Sequence, residues 1–277
     1  MQPTVDIETP HRILALGIAL DDLGQAEALA YCAKRAPTLP FGYVSTPNAT
    51  MQVQVDRGVR DTMRALDGAE LVLNDSRVLQ TLLRVMFGRR IPLATGSDLS
   101  AALFQQVIGP EDPICVIGGD QALADSLRAR FGLRRLVQVI PSYGFIHDPA
   151  EIARCIAFVQ AHPSRFVFIA CGAPQSEILA ANIVAAGRSV GLGLCIGASL
   201  EFITGQKQRA PMIWQRLGME WLFRVLQEPK RLGRRLFTLQ LPLLLVVLRY
   251  RLLGRPGTPG PSGRSISRTG MTLDQMR

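Results

Sequence analysis

Ile114-Cys115-Val116-Ile117-Gly118-Gly119-Asp120-Gln121 is the stretch that decides the fold class. Four apolar residues without a polar break predict a strand covered on both faces, because a half-exposed strand would alternate. Two glycines then allow a tight turn, and Asp120 is a residue type that starts helices. The same pattern recurs in Ala170-Cys171-Gly172-Ala173-Pro174-Gln175-Ser176-Glu177, with Pro174 and Glu177 at positions usual for a helix start.

Working outward, strands are expected at 13–19, 41–45, 69–74, 113–117, 136–140, 166–171 and 190–196. Helices are expected at 23–36 (opened by Asp21-Asp22), 53–66, 79–87, 98–107, 121–131, 149–162 and 176–186. Strand and helix alternate throughout. This predicts an α/β fold: a mainly parallel, Rossmann-like sheet with helices on both faces. Ligands in such sheets bind beyond the carboxyl ends of the strands. That rule selects Thr46-Pro47-Asn48, Asp75, Gly118-Gly119-Asp120, Gly172-Ala173-Pro174 and Gly197-Ala198.

Charge divides the chain differently. Residues 205–255 hold eleven Lys and Arg against Glu220 and Glu228, a net +9 that equals the formal net charge of the whole chain. Trp214, Leu217, Trp221 and Leu222 lie among these cations. An amphipathic basic segment fits an anionic membrane surface first and nucleic acid second. The apolar core of 236–250 is shorter than the roughly 20 residues that cross a bilayer, and Gln240 and Pro242 interrupt it. It is expected to lie on a membrane. The expected organisation is a catalytic domain over 1–204, a basic helical C-terminal appendage over 205–255 and a disordered tail over 256–277.

The five cysteines stand singly and odd in number, which excludes a disulfide framework or a zinc knuckle. Residues 1–12 lack the apolar run of a signal peptide, so a reducing cytoplasmic setting is expected. No pair of histidines has ligand spacing, and no Asp-x-Asp is present to hold a divalent ion on pyrophosphate. No metal and no cofactor are expected. A carboxylate placed as Asp75 is can serve as a general base or cap the next helix. The glycine turns can approach a phosphate or simply be tight turns. A nicotinamide-dependent oxidoreductase would use the same sheet, although Gly118-Gly119 lacks the full G-x-G-x-x-G fingerprint.

These motifs, taken in order, resemble the WecG/TagA/CpsF glycosyltransferases. Thr46-Pro47-Asn48, Leu71 to Asp75, Thr95-Gly96-Ser97-Asp98-Leu99, Gly118-Gly119, Gly172-Ala173-Pro174 with Glu177, and Gly197-Ala198 through Gly205 follow in register. The closing motifs are Arg209-Ala210-Pro211, Gly218 through Arg224 and Glu228-Pro229-Lys230-Arg231-Leu232. The resemblance implies inverting, metal-independent transfer from a UDP-sugar to a polyprenyl-diphosphate-linked saccharide at the inner face of the membrane. It implies Asp75 as base, with Thr46 and Asn48 in the catalytic pocket. It assigns the nucleotide-sugar to Gly118, Gly119, Gly172, Ala173, Pro174, Glu177, Gly197 and Glu201. Arg209, Arg216, Arg224, Arg231 and Arg234 would meet the acceptor diphosphate and anionic lipids, and no nucleic acid is expected. The chain departs from the pattern at Gln175 and Ser176 (Lys and Gln in the family), at Glu201 (commonly Asp) and at Ser76 (Gly). These departures look closer to exopolysaccharide enzymes moving glucose or a similar hexose.

Overall fold

The computed structural model describes residues 11–208, 210, 211, 214, 222, 223 and 241–253. Six parallel strands form one sheet: β3 (Gly42–Ser45), β4 (Leu71–Val72), β5 (Ile114–Gly118), β6 (Leu136–Val139), β7 (Phe166–Ala170) and β8 (Leu192–Cys195), in the order β4-β3-β8-β7-β5-β6. All six run the same way, so every strand end named above lies along one edge of the sheet.

The strands divide their side chains between two cores. Cys115, Ile117, Val167 and Ile169 face one, and Ile114, Val116, Phe166 and Phe168 face the other. This period of two is invisible in the sequence because both faces are buried. The first core is covered by α2 (Ala49–Asp56), α3 (Arg60–Asp67), α4 (Arg77–Phe87), α7 (Pro149–Ala161) and α8 (Gln175–Ala186). The second is covered by α1 (Gln25–Lys34), α5 (Gly96–Gln106), α6 (Gln121–Phe131) and α9 (Ser199–Thr204).

Three expectations need correction. The strand expected at 13–19 is a hairpin, β1 (Arg12–Ala15) against β2 (Ile18–Asp21), turning at Leu16-Gly17 with positive φ at both. Asp21 therefore does not open a helix. It ends β2, pairs with Arg12 at 2.9 Å and accepts the Val72 N–H at 2.6 Å, tying the hairpin to β4. The helix starts at Gln25, where the Glu27 carboxylate accepts the Gly24 N–H. The single helix expected at 53–66 is two, α2 and α3, broken where Gly58 turns to φ +74°.

A last helix, α10 (Leu241–Leu253), packs on α2 and α4. Val246, Val247 and Tyr250 are buried there, Arg249 pairs with Asp56, and Leu245, Leu248 and Leu252 stay exposed. No described helix is long and apolar enough to cross a membrane. The tail at 256–277, most of the basic segment, and Arg209, Arg216, Arg224, Arg231 and Arg234 lie outside the described residues.

Candidate functional site

The ends of β3, β4 and β8 converge on the start of α5. Beyond β3, the Thr46 hydroxyl donates to the Cys195 carbonyl at 3.1 Å, fixing the turn of β3 to the end of β8. Thr46 is buried, whereas Asn48 is exposed and accepts the N–H groups of Thr50 and Met51 as the cap of α2. Asn48 thus has a local structural use whatever else it touches.

Asp75 has a different environment from the one its position in the sequence suggests. The cap of α4 is Ser76, whose hydroxyl accepts the Leu79 N–H at 3.1 Å. Asp75 is released from that task. Its Oδ1 accepts the N–H of Gly96, the first residue of α5, at 2.9 Å. Asn74 props the turn from below, its carboxamide donating to Pro92 O and accepting from Ser76 N. Its chain neighbours Asn74 and Ser76 line a cleft with Leu20, Pro47, Asn48, Ala49, Gln52 and Leu79, while Asp75 itself is not among the lining residues. A half-buried carboxylate, oriented by an N–H at a strand end, can take a proton from a hydroxyl brought to it.

The glycine turns follow along the same edge. Gly118 and Gly119 both have positive φ. A Cβ on Gly118 would lie 2.9 Å from the Ala170 carbonyl oxygen, and one on Gly119 2.3 Å from Leu123 Cδ2. Packing against the Ala170 backbone requires glycine at 118, and the positive φ favours glycine at both positions. Asp120 caps α6 by accepting the Leu123 N–H, and Gln206 reaches back to it at 3.3 Å. Gly172 and Gly197 also have positive φ, but open space surrounds the place a Cβ would take. Gly172, Ala173, Pro174 and Gly197 are all half-buried. Glu201 is half-buried and paired with Lys207.

Glu177 is 1% exposed and lies beneath the site. Its Oε1 accepts from the Ser45 hydroxyl at 3.5 Å, and Oε2 has no hydrogen-bond partner. Burial lifts its carboxyl to about 8, so the protonated form predominates near neutral pH. Its first-turn position in α8 reads in sequence as an ordinary helix-start acid, and its burial comes from the packing of α8 against β3 and β8. Ser176, one of the departures from the family pattern, is buried as well. It accepts the Cys171 N–H at 3.2 Å and donates to the Ile169 carbonyl, closing the end of β7.

Sequence reasoning gave no role to Gly96, the residue that joins Asp75 to Thr46. The motif Thr95-Gly96-Ser97 was visible, but its partners are 21 and 50 positions away. Around it, Thr95 caps α5 through the Asp98 N–H, and Ser199 at the start of α9 approaches Ser97 at 3.5 Å. Among the described residues no cluster of His, Cys, Asp or Glu could hold a metal ion.

The family model described as the glycosyl transferase WecG/TagA/CpsF family matches residues 13–257. The match spans the sheet, every strand-end turn above and α10, so the site is described within one continuous family unit. The chain belongs to the WecG/TagA/CpsF glycosyltransferase family, whose members act in cell-surface polysaccharide synthesis on a nucleotide-sugar donor and a lipid-linked acceptor.

Proposed function

We propose that this protein transfers a hexose, glucose or a close relative, with inversion from a UDP-sugar to a polyprenyl-diphosphate-linked saccharide in exopolysaccharide synthesis. Asp75 is the base. The observation that carries this reading is the separation of tasks at the end of β4: Ser76 caps α4, while the Asp75 carboxylate is held at the strand end by the Gly96 N–H, next to two residues that line the cleft. Inversion needs one base to deprotonate the acceptor hydroxyl as it attacks the anomeric carbon from the face opposite UDP. Thr46 and Asn48 flank that attack.

The turns at Gly118-Gly119, Gly172-Ala173-Pro174 and Gly197, with Glu201, hold the nucleotide. Backbone N–H groups and helix N-termini stabilise the departing UDP. Arginines of the basic segment (Arg209, Arg216, Arg224, Arg231 and Arg234) supply the positive charge at the acceptor diphosphate. The reaction then proceeds without a metal or other cofactor. Glu177 contributes from below, as a neutral group under β3, rather than as a charged contact to the donor.

The enzyme works peripherally on the inner face of the cell membrane. The exposed leucines of α10 and the basic segment hold it there, with residues 205–255 as an appendage to the catalytic domain at 1–204. The test is incubation of the full chain with a panel of UDP-sugars and a short-chain lipid-diphosphate-linked saccharide, scored by product mass. Gain of one hexose from UDP-glucose or a similar donor is expected. Absence of any transfer, with the protein folded and binding UDP no better than NADH, would overturn the reading.

A further inference from the structure

We propose that Gly96 is a positioning residue that sets Asp75 and Thr46 relative to one another, and that its missing side chain is required for this. The inference rests on the reading of Asp75 as the base. Two independent observations meet at this one residue.

The first is a hydrogen bond. Gly96 is the first residue of α5, and its N–H is among those the helix cannot use internally. It donates to Asp75 Oδ1 at 2.9 Å, so one carboxylate oxygen is fixed to the end of an eleven-residue helix. That helix is anchored in turn by Leu99, Leu103 and Phe104 in the core. The orientation of Asp75 is thereby set by a rigid element.

The second is a close approach. A Cβ on Gly96 would lie 3.1 Å from Thr46 Oγ1, 3.5 Å from Thr46 Cγ2 and 3.7 Å from Ile196 Cα. The hydroxyl it would press on is the one that donates to the Cys195 carbonyl. Gly96 has no positive φ that would demand glycine, so its backbone conformation suits alanine. The lack of a side chain serves the space beside Thr46, not the helix.

Gly96→Ala therefore separates structure from function. Alanine is the better helix residue, so a purely structural Gly96 would tolerate it or gain stability. If Gly96 is a positioning residue, the alanine Cβ instead displaces Thr46 by a few tenths of an ångström and shifts it against Asp75. A misplacement of about 1 Å in a reacting constellation costs roughly a hundredfold, so a shift of a few tenths of an ångström lowers turnover by about threefold to tenfold. The helix still presents its N–H to Asp75, so UDP binding stays as in the parent.

The experiment uses the full chain as parent, Gly96→Ala and Asp75→Asn. It measures thermal unfolding, UDP affinity by calorimetry, hexose transfer to the lipid-linked acceptor, and the Gly96 amide resonance in [15N]glycine-labelled protein. The expected result is a Gly96→Ala variant as stable as the parent, with parental UDP affinity and turnover down about threefold or more. The Gly96 amide resonance should also move in Asp75→Asn. Parental turnover in Gly96→Ala, or a Gly96 amide unmoved by Asp75→Asn, overturns the inference. If Asp75→Asn itself turns over normally, the reading of Asp75 as base has failed instead.

Discussion

Replacing Glu177 by Gln should abolish a pH dependence of stability that the parent carries. The carboxyl is buried, with one weak contact to Ser45 and no partner on Oε2. Its folded-state value is raised from 4.5 to about 8. A raised value means that the folded chain holds this proton more tightly than the unfolded chain. The stabilisation is complete below about 4.5 and is lost as pH climbs toward 8, where the folded protein must bury a charge. At about 1.4 kcal/mol per unit, the loss across this window is on the order of 5 kcal/mol. Gln keeps an oxygen to accept from Ser45 and exchanges one unpaired donor for another. The two proteins should therefore differ little at pH 5, and Glu177→Gln should be the more stable by several kcal/mol near pH 8.5. The assay is urea unfolding of both proteins from pH 4.5 to 8.5, read by circular dichroism. Only the difference between the two curves counts, since every other group titrates in both. Parallel curves would refute the reasoning and show that Glu177 ionises without penalty.

Transfer should persist after extensive dialysis and in excess EDTA, measured by hexose incorporation; complete loss restored by Mg²⁺ or Mn²⁺ would contradict metal independence. Leu245→Ser, Leu248→Ser and Leu252→Ser together remove an exposed apolar face of α10. Sedimentation with vesicles containing anionic lipid should show binding weakened by at least about tenfold, with thermal unfolding unchanged because none of the three is buried. Vesicle binding at the parental level would place the membrane contact elsewhere.

The sheet was legible because its signals are local. A run such as 114–117 followed by two glycines allows a buried strand and a turn, and the helix that follows was read to the residue. Continuous apolar runs also hid what they contained. The turn at Leu16-Gly17 sits inside one, so a hairpin read as a strand. Gly58 broke a helix whose apolar spacing continued on both sides of the break. Strand ends alone sufficed to place Thr46 and Asp75 along one edge of the sheet. The environment of Asp75 is non-local: Ser76, its neighbour, takes the cap of α4, but the N–H that holds Asp75 comes from Gly96 on another helix. The burial of Glu177 depends on how α8 lies against β3 and β8, which no local pattern encodes.

The most direct test of the central claim is the anomeric configuration of the transferred sugar, read by proton NMR on product made from an α-linked UDP-hexose. A β-linked hexose is predicted from the parent. The Asp75→Asn variant, with unchanged circular dichroism, should yield it about a hundredfold more slowly or worse. An α-linked product, or an Asn variant that makes the β-linked product at the parental rate, would contradict inversion with Asp75 as the base.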